Sequence, residues 1–161
     1  MSGWLLDTLL LKHLAAGAST PRPSLRDWVS RNPEPIFLSM VSVVEIKARI
    51  EKVRATRQEA RAAKLDDRLK HVVAQYSDRI YLVDADLAKR AGVLMYERSR
   101  VLGGAGPSLS NSLLAATAEI RGHTLLTQRM RDFTPWAKVE LWDPFEQGLR
   151  DQHDGGRNGP S

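Results

Sequence analysis

Short apolar segments alternate with longer segments of helical periodicity, and this alternation constrains the fold more than any other feature of the sequence. The longer segments repeat apolar residues at steps of three and four, which is typical of helices with one buried face. Strands separated by helices pack as a mostly parallel sheet covered on both faces. We therefore expect an α/β fold, specifically an α/β/α sandwich. The predicted strands are 4–6, 36–38, 80–83, 124–127 and 139–142.

Turn and cap residues divide the rest of the chain into helices and loops. Loops are expected at 15–23 and 103–107 because of their glycine, serine, threonine and proline content. Residues 1–146 are expected to form one domain, and the glycine-rich segment 147–161 a disordered tail. The predicted helices are 9–14, 24–31 with Ser24 as its N-cap, 42–57, 59–76, a helix from Asp84 or Asp86 to 101, and 109–120 ended by Gly122.

The composition excludes several classes of protein. The chain has 161 residues and no cysteine, so disulfides, a thiolate nucleophile and a cysteine zinc site are all excluded. No apolar run approaches the roughly 20 residues that span a bilayer, so no membrane association is expected. The first residues lack the basic region of a signal peptide. These features together lead us to expect a cytoplasmic protein.

Positive charge is concentrated in one segment, 47–70. The whole chain carries a net charge of +5, and this segment alone, with nine basic and four acidic residues, accounts for it. A basic stripe is typical of a protein that binds a polyanion. The alternative is a solvated helical face, or one that serves oligomerisation. The candidate binding residues are Lys47, Lys52, Arg54, Arg57 and Arg61.

Three carboxylates follow strands that are predicted to end at one edge of the sheet. Asp7 directly follows the first strand, Glu45 opens the helix after the second, and Asp132 lies shortly after the fourth. Ligands of open α/β sheets bind beyond the carboxyl ends of the strands. Clustered carboxylates repel one another, and Mg²⁺ or Mn²⁺ removes that repulsion and can activate water beside a phosphoryl group.

Each carboxylate also has a purely structural interpretation. Asp7 could be a turn former or a helix N-cap. Ser42 and Glu45 match the two ends of a capping box, although the apolar residues around Glu45 make a carboxylate there costly without a strong partner. Asp132 could pair with a neighbouring arginine.

Several segments in a fixed order resemble the PIN domains, and within them the VapC-type ribonuclease toxins of bacterial toxin–antitoxin pairs. The resemblance covers roughly residues 4–145. The matching segments are Leu-Leu-Asp-Thr at 5–8, Leu-Ser-Met-Val-Ser-Val-Val-Glu-Ile at 38–46, Leu-Leu-Ala-Ala-Thr-Ala at 113–118, Leu-Leu-Thr at 125–127 followed by Arg-Asp-Phe at 131–133, and Trp-Asp-Pro-Phe at 142–145.

The resemblance implies a PIN-like fold and a Mg²⁺- or Mn²⁺-dependent endoribonuclease, usually a homodimer and silenced by a small antitoxin protein. Asp7, Glu45 and Asp132 match acidic site residues and would ligate the metal. Thr8 and Thr127 match polar residues near the site. Metal-activated water would then attack an RNA phosphodiester, and the basic segment would attract the RNA backbone.

The sequence departs from the family pattern at the site itself. Asn111 stands where the family has a third acidic residue, and Leu9 replaces an asparagine. In the family's Thr-Arg-Asn segment, Gln128 replaces the arginine and Arg129 replaces the asparagine. Losing a carboxylate weakens Mg²⁺ binding and removes a group that could orient water. Arg129 would place a cation beside the site. These departures favour an alternative: a catalytically impaired or inactive PIN-fold protein that binds RNA or an antitoxin-like partner.

Overall fold

A five-stranded parallel sheet forms the centre of the fold, in the order β3-β2-β1-β4-β5. The computed structural model describes residues 2–15, 25–103, 108–134 and 136–146; the expected disordered tail and most of both expected loops lie outside these residues. All the strand pairs are parallel, as expected. The strands are β1 (Trp4–Leu6), β2 (Ile36–Ser39), β3 (Ile80–Tyr81), β4 (Thr124–Leu126) and β5 (Leu141–Trp142).

Helices connect the strands and cover both faces of the sheet. They match the predicted helices to within about two residues at each end, the spread expected of such boundaries. No helix in the described part of the chain is long and apolar enough to cross a membrane. The helices are α1 (Thr8–Ala15), α2 (Leu25–Arg31), α3 (Met40–Ala55), α4 (Glu59–Gln75), α5 (Ala85–Leu102) and α6 (Leu109–Arg121).

Alternation along the strands divides the hydrophobic core into two layers. Leu6 and Leu126 point into a layer formed with α1–α4, whereas Leu5 and Leu125 point into a layer formed with α5 and α6. All four leucines are fully buried. Successive side chains of a strand point to opposite faces, so both faces of β1 and β4 are covered. The expected α/β/α sandwich is therefore confirmed.

The two outer strands are shorter than predicted. β3 ends at Tyr81, and the next residues, Leu82 and Val83, are 64% and 45% exposed. The partner strand explains this end: Ser39 pairs with Tyr81, and the chain of β2 then turns directly into α3. No backbone remains for Leu82 to pair with, although its apolar character favours a strand.

The end of one helix and the starts of two others follow directly from capping chemistry. Ser39 caps α3 by accepting a hydrogen bond from the Val41 N–H at 3.2 Å, and Asp84 caps α5 through the Leu87 N–H at 2.9 Å. Gly122 ends α6 with a φ of 68°, a left-handed conformation that glycine adopts without strain. The end of α6 at Gly122 is therefore confirmed, Asp84 rather than Asp86 caps α5, and the cap of α3 lies three residues earlier than Ser42.

Candidate functional site

The carboxyl ends of the adjacent strands β1 and β4 bring Asp7 and Thr127 together. Backbone hydrogen bonds continue the sheet for one residue beyond each strand: the Asp7 N–H donates to Leu126 at 3.0 Å, and the Thr127 N–H donates to Trp142 at 2.9 Å. This pairing fixes where both side chains start. The expected meeting of polar side chains at this edge of the sheet is therefore observed for these two residues.

Both carboxylate oxygens of Asp7 accept hydrogen bonds inside the protein. The Thr127 hydroxyl donates to Oδ2 at 2.5 Å, and the Leu10 N–H donates to Oδ1 at 2.8 Å. The second bond makes Asp7 the cap of α1, so its structural interpretation also holds. Asp7 and Thr127 are both fully buried. The sequence pattern thus marked one residue that caps a helix and lies at the candidate site.

Burial raises the pKa of the Asp7 carboxyl above its ordinary value. The hydrogen bonds from Thr127 and the Leu10 N–H oppose this rise, as does the positive charge of Arg129. Burial removes the water that would solvate the charged form, while donors and a nearby cation stabilise that form. The site is therefore built to offset the cost of a buried carboxylate.

Glu45 reaches the same region through Thr8. The Thr8 hydroxyl donates to Glu45 and lies 3.1 Å from the Ser42 hydroxyl oxygen, and both Thr8 and Ser42 are fully buried. The capping-box interpretation of Ser42 and Glu45 is wrong, because α3 begins at Met40 and is capped by Ser39. The Thr8 hydroxyl is therefore the polar partner that a carboxylate in these apolar surroundings needs.

Ser42 is the site residue that sequence reasoning assigned to the wrong role. It lies three residues before Glu45, so within α3 the two share one face. Their spacing is equally compatible with a capping box. Only the position of the helix start, one residue after β2, distinguishes the two interpretations.

Asp132 lies at the rim of the site and pairs with Arg129. Arg129 Nη1 lies 3.3 Å from Asp132 Oδ2, and Arg129 Nε lies 3.9 Å from Asp7 Oδ2. The side chain of Asp132 is 42% exposed. One guanidinium therefore lies between the buried and the exposed carboxylate, as the neighbouring-arginine interpretation of Asp132 anticipated.

Asn111 is buried in the first turn of α6, and only 7% of it is exposed. Its N–H donates to the Ser108 hydroxyl at 3.3 Å, which caps the helix. The neighbouring Ser112 is fully buried, and its hydroxyl has no hydrogen-bond partner among the described residues. The position implied by the resemblance is thus buried but uncharged.

The donors as they lie here do not fit Mg²⁺ or Mn²⁺. Among the described residues, no three side chains of His, Cys, Asp or Glu lie close enough together to hold a metal ion. Asp7 and Glu45 are linked through Thr8, but Asp132 is paired with Arg129 instead. The ligand set Asp7, Glu45 and Asp132 remains a prediction.

The basic segment forms the hairpin of α3 and α4, and two of its candidate residues are held in ion pairs. Lys47 contacts Glu51 at 2.8 Å and Asp66 at 2.6 Å. Arg54 contacts Asp66 at 2.5 Å, Glu59 at 3.1 Å and also Glu51. The mixed charges of the segment therefore join the two helices, as the structural alternative expects.

The other seven cations of the segment are exposed and have no ion pair within the described ranges. Three of the four acidic residues of the segment are occupied by Lys47 and Arg54. Seven exposed residues therefore carry the unpaired positive charge of the hairpin. These residues are Arg49, Lys52, Arg57, Arg61, Lys64, Arg68 and Lys70.

No protein-family model and no curated protein matches the chain. Solved structures do match it. The structure of FitAcB from Neisseria gonorrhoeae is 20% identical, with a TM-score of 0.69 over 88% of this chain and 97% of that chain. DNA-bound VapBC from Salmonella typhimurium is 21% identical, with a TM-score of 0.64 over 89% and 99%. A toxin–antitoxin complex from Klebsiella pneumoniae is 20% identical, with a TM-score of 0.57 over 89% and 98%.

These matches cover nearly the whole length of each compared chain, at identities that establish the fold alone. The chain has the PIN-like fold of the VapBC and FitAB structures, which confirms the fold implied by its sequence motifs.

Proposed function

We propose that this chain is the toxin-type component of a toxin–antitoxin pair and that it acts on RNA. The fold likeness to VapBC and to a toxin–antitoxin complex supports the first part. The observation that carries the second part is the buried Asp7 carboxylate, held by Thr127 at the carboxyl end of the central strand. A buried carboxylate at such an edge is costly, and that cost is typical of a functional site.

The exposed cations of the α3–α4 hairpin support a polyanionic ligand. Ion pairs within the hairpin use most of its acidic residues and only two of its basic ones. The remaining cations therefore present an uncompensated positive surface to solvent. Such a surface attracts a phosphate backbone and releases counterions when it binds.

The geometry supports binding of RNA better than its hydrolysis. Asn111 supplies no charge where the resemblance implies an acid, and Arg129 supplies a cation 3.9 Å from Asp7. Both changes make the site less negative. Hydrolysis by a metal-dependent nuclease needs that negative charge to hold the metal. Our conclusion is an RNA-directed, toxin-type protein with an impaired endoribonuclease site.

An active endoribonuclease is the second candidate, and one observation favours it. The contacts from Thr127 to Asp7 and from Thr8 to Glu45 are both in place. Two of the acidic positions implied by the resemblance are therefore held in an ordered arrangement. Asp7 and Glu45 would then hold Mg²⁺ or Mn²⁺, and the metal would supply an activated water.

A groove beside the hairpin supports the proposed antitoxin-like partner. It has a cavity volume of about 170 Å³ between α1, α3 and α4. Its walls include Ile50, Leu65 and Leu69, and its rim includes Lys12 and Arg61. An apolar floor with a basic rim fits an amphipathic helix that carries acidic residues beside its apolar face.

A homodimer is also part of this proposal, and α5 supports it. Val93, Tyr96 and Val101 are 46%, 64% and 56% exposed on this helix. Val93 and Tyr96 are three residues apart and therefore share one face of the helix, where a second copy could cover them. The test is the molar mass in solution, measured by light scattering for the chain and for Tyr96→Glu.

The test of the proposed function measures binding and cleavage of mixed structured RNAs with Mn²⁺ present. It compares the natural chain with Asp7→Asn and Asn111→Asp, each checked for folding by circular dichroism. We expect the natural chain to bind RNA, with affinity falling steeply as salt rises, and to cut slowly or not at all. We expect Asn111→Asp to cut faster.

Two other outcomes would change the conclusion. If the natural chain cuts RNA efficiently, EDTA stops it and Asp7→Asn abolishes it, the active endoribonuclease is correct. If the natural chain neither binds nor cuts any of the RNAs, the proposal that it acts on RNA fails. The toxin–antitoxin assignment would then depend on the fold and the groove alone.

A further inference from the structure

Arg129 is fixed beside Asp7 by the same hydroxyl that holds the carboxylate. The Arg129 N–H donates to Thr127 Oγ1 at 3.0 Å, and Thr127 Oγ1 donates to Asp7 Oδ2. Arg129 Nε then lies 3.9 Å from that same oxygen. The carboxyl edge of β4 therefore positions the backbone of Arg129, while its buried Nε faces Asp7 and makes no hydrogen bond with the described residues.

The guanidinium faces two carboxylates rather than one. Its Nη1 atom lies 3.3 Å from Asp132 Oδ2, whereas its Nε atom lies 3.9 Å from Asp7 Oδ2. Arginine keeps its charge at every pH that the fold tolerates, so this cation cannot leave by losing a proton. A divalent cation bound at Asp7 Oδ2 would compete for the oxygen that the guanidinium faces, and the two would repel each other.

Asn111 stands at the position where the resemblance implies a further acidic residue of this site. An acid there would add negative charge to balance a divalent ion, whereas the buried amide of Asn111 adds none. Relative to the family pattern, the arginine of this turn is shifted from position 128 to 129, where it lies near Asp7, and one acidic residue is lost. The single positive charge of a guanidinium therefore suits the remaining carboxylates better than the double charge of a divalent metal ion.

We propose that the Arg129 guanidinium takes the place of the divalent metal beside Asp7, so that the site is complete without Mg²⁺ or Mn²⁺. This inference rests on the proposed function, because it concerns the same site and explains its impairment. It also assigns Arg129 a role that the resemblance does not: it is the resident cation of the site. Reverting two residues should then create a metal site.

The experiment measures Mn²⁺ binding by the electron paramagnetic resonance signal of the free ion, with the full chain and no RNA. The variants are Arg129→Asn, Asn111→Asp and the double variant. Arg131→Asn is the matched control, because Arg131 is an exposed arginine of the same turn. Arg129→Lys is the conservative control, because it keeps the positive charge but replaces the planar guanidinium with an ammonium group.

We expect the natural chain, Arg131→Asn and Arg129→Lys to leave Mn²⁺ free at about 1 mM, the weak end of protein cation sites. Arg129→Asn should bind about tenfold more tightly than the natural chain, and the double variant more tightly again, because each change removes repulsion or adds a carboxylate. Mn²⁺ should also raise the melting temperature of the double variant most, and leave that of the natural chain unchanged.

The proposal is overturned if the natural chain binds Mn²⁺ as tightly as the double variant and Asp7→Asn abolishes that binding. It is also overturned if the folded double variant binds Mn²⁺ no better than the natural chain. If Arg129→Asn and the double variant fail to fold, binding of Mn²⁺ below about 1 mM by the natural chain, abolished by Asp7→Asn, overturns the proposal by itself. RNA binding is read separately, so failure here leaves the proposed function standing.

Discussion

An arginine lies among carboxylates in two regions of this molecule, and the surroundings give the two arrangements different consequences. Arg129 lies between Asp7 and Asp132 at the edge of the sheet, where Asp7 is fully buried. Arg54 lies among three acidic residues of the α3–α4 hairpin, where every partner remains partly exposed. Water and salt screen the second arrangement but reach the first only from one side.

The two regions also differ in what the ion pairs join. The hairpin network connects consecutive helices, so it strengthens a local contact that the apolar faces of α3 and α4 already make. The site connects elements from opposite ends of the chain. The ion pairs of the hairpin therefore stabilise a contact at the surface, whereas those of Arg129 at the site compensate the buried charge of Asp7.

Thr127→Val should produce the largest change in stability. It leaves Asp7 buried without its hydroxyl donor, which costs about 2 kcal/mol for a hydrogen bond to a charged group. The measurement is urea denaturation. Thr117→Val is the matched control, since Thr117 is also a buried threonine but donates only to Leu113 of its own helix, at 2.7 Å. Equal losses from both variants would contradict the comparison.

Lys52→Gln with Arg57→Gln should weaken RNA binding by about tenfold and reduce the slope of log affinity against log salt by about 1.4, since two phosphate contacts are lost. The control is Lys47→Gln with Arg54→Gln, which changes the charge equally but removes cations that already have partners. Its slope should stay near that of the natural chain. Identical slopes would mean that RNA responds only to the net charge of the hairpin.

Arg54→Met should lower stability less than Thr127→Val. Its ion pairs lie at the surface, where solvent weakens them, and the methionine can keep the apolar part of the packing. The loss should shrink as sodium chloride is raised, because salt screens exposed charges. Denaturation midpoints at low and high salt provide the measurement. A large loss that salt leaves unchanged would remove the distinction between the two regions.

His123 should give the smallest effect and extends the comparison to a third ionisable group. Burial lowers its pKa from 6.5, and the charge of Arg121 lowers it further. The unfolded chain therefore takes up a proton at a higher pH than the folded chain, so stability should fall as the pH decreases below about 6.5. Thermal melts between pH 7.5 and 5.5 test this, a window chosen around the ordinary histidine pKa.

His123→Gln should remove this pH dependence while retaining a side chain that can pair with Tyr81, whose hydroxyl lies 2.7 Å from His123 Nε2. If the variant keeps the full slope, other groups cause it.

Most of the fold followed from the alternation of strands and helices. Residues that cap helices were the most reliable signals, as Asp84 shows at the start of α5 and Gly122 at the end of α6. The predicted length of β3 was too great because a strand ends where its partner strand ends, whatever the residue types that follow. Leu82 and Val83 have the residue type of a strand, but β2 has already ended beside them.

The sequence predicted which residues lie near the site, but it did not predict the contacts between their side chains. Asp7 was expected at the carboxyl edge of the sheet because it follows a strand, whereas Thr127 was expected near the site only from the resemblance; in the structure a hydrogen bond joins the two. The role of Ser42 could not be predicted, because it depends on where α3 begins. Nor does the sequence determine that Arg129 reaches both Asp7 and Asp132, since side-chain direction is set by the packed turn after β4.

The contact between Asp7 and Thr127 also dictates an order of events during synthesis. It joins residues 120 positions apart, whereas the groove between α1, α3 and α4 is complete once Leu69 has been added. At typical elongation rates, several seconds separate these two points. Every residue that lines the groove is therefore made before Thr127, and a chain interrupted before β4 would contain the whole lining of the groove while lacking the hydroxyl that holds Asp7.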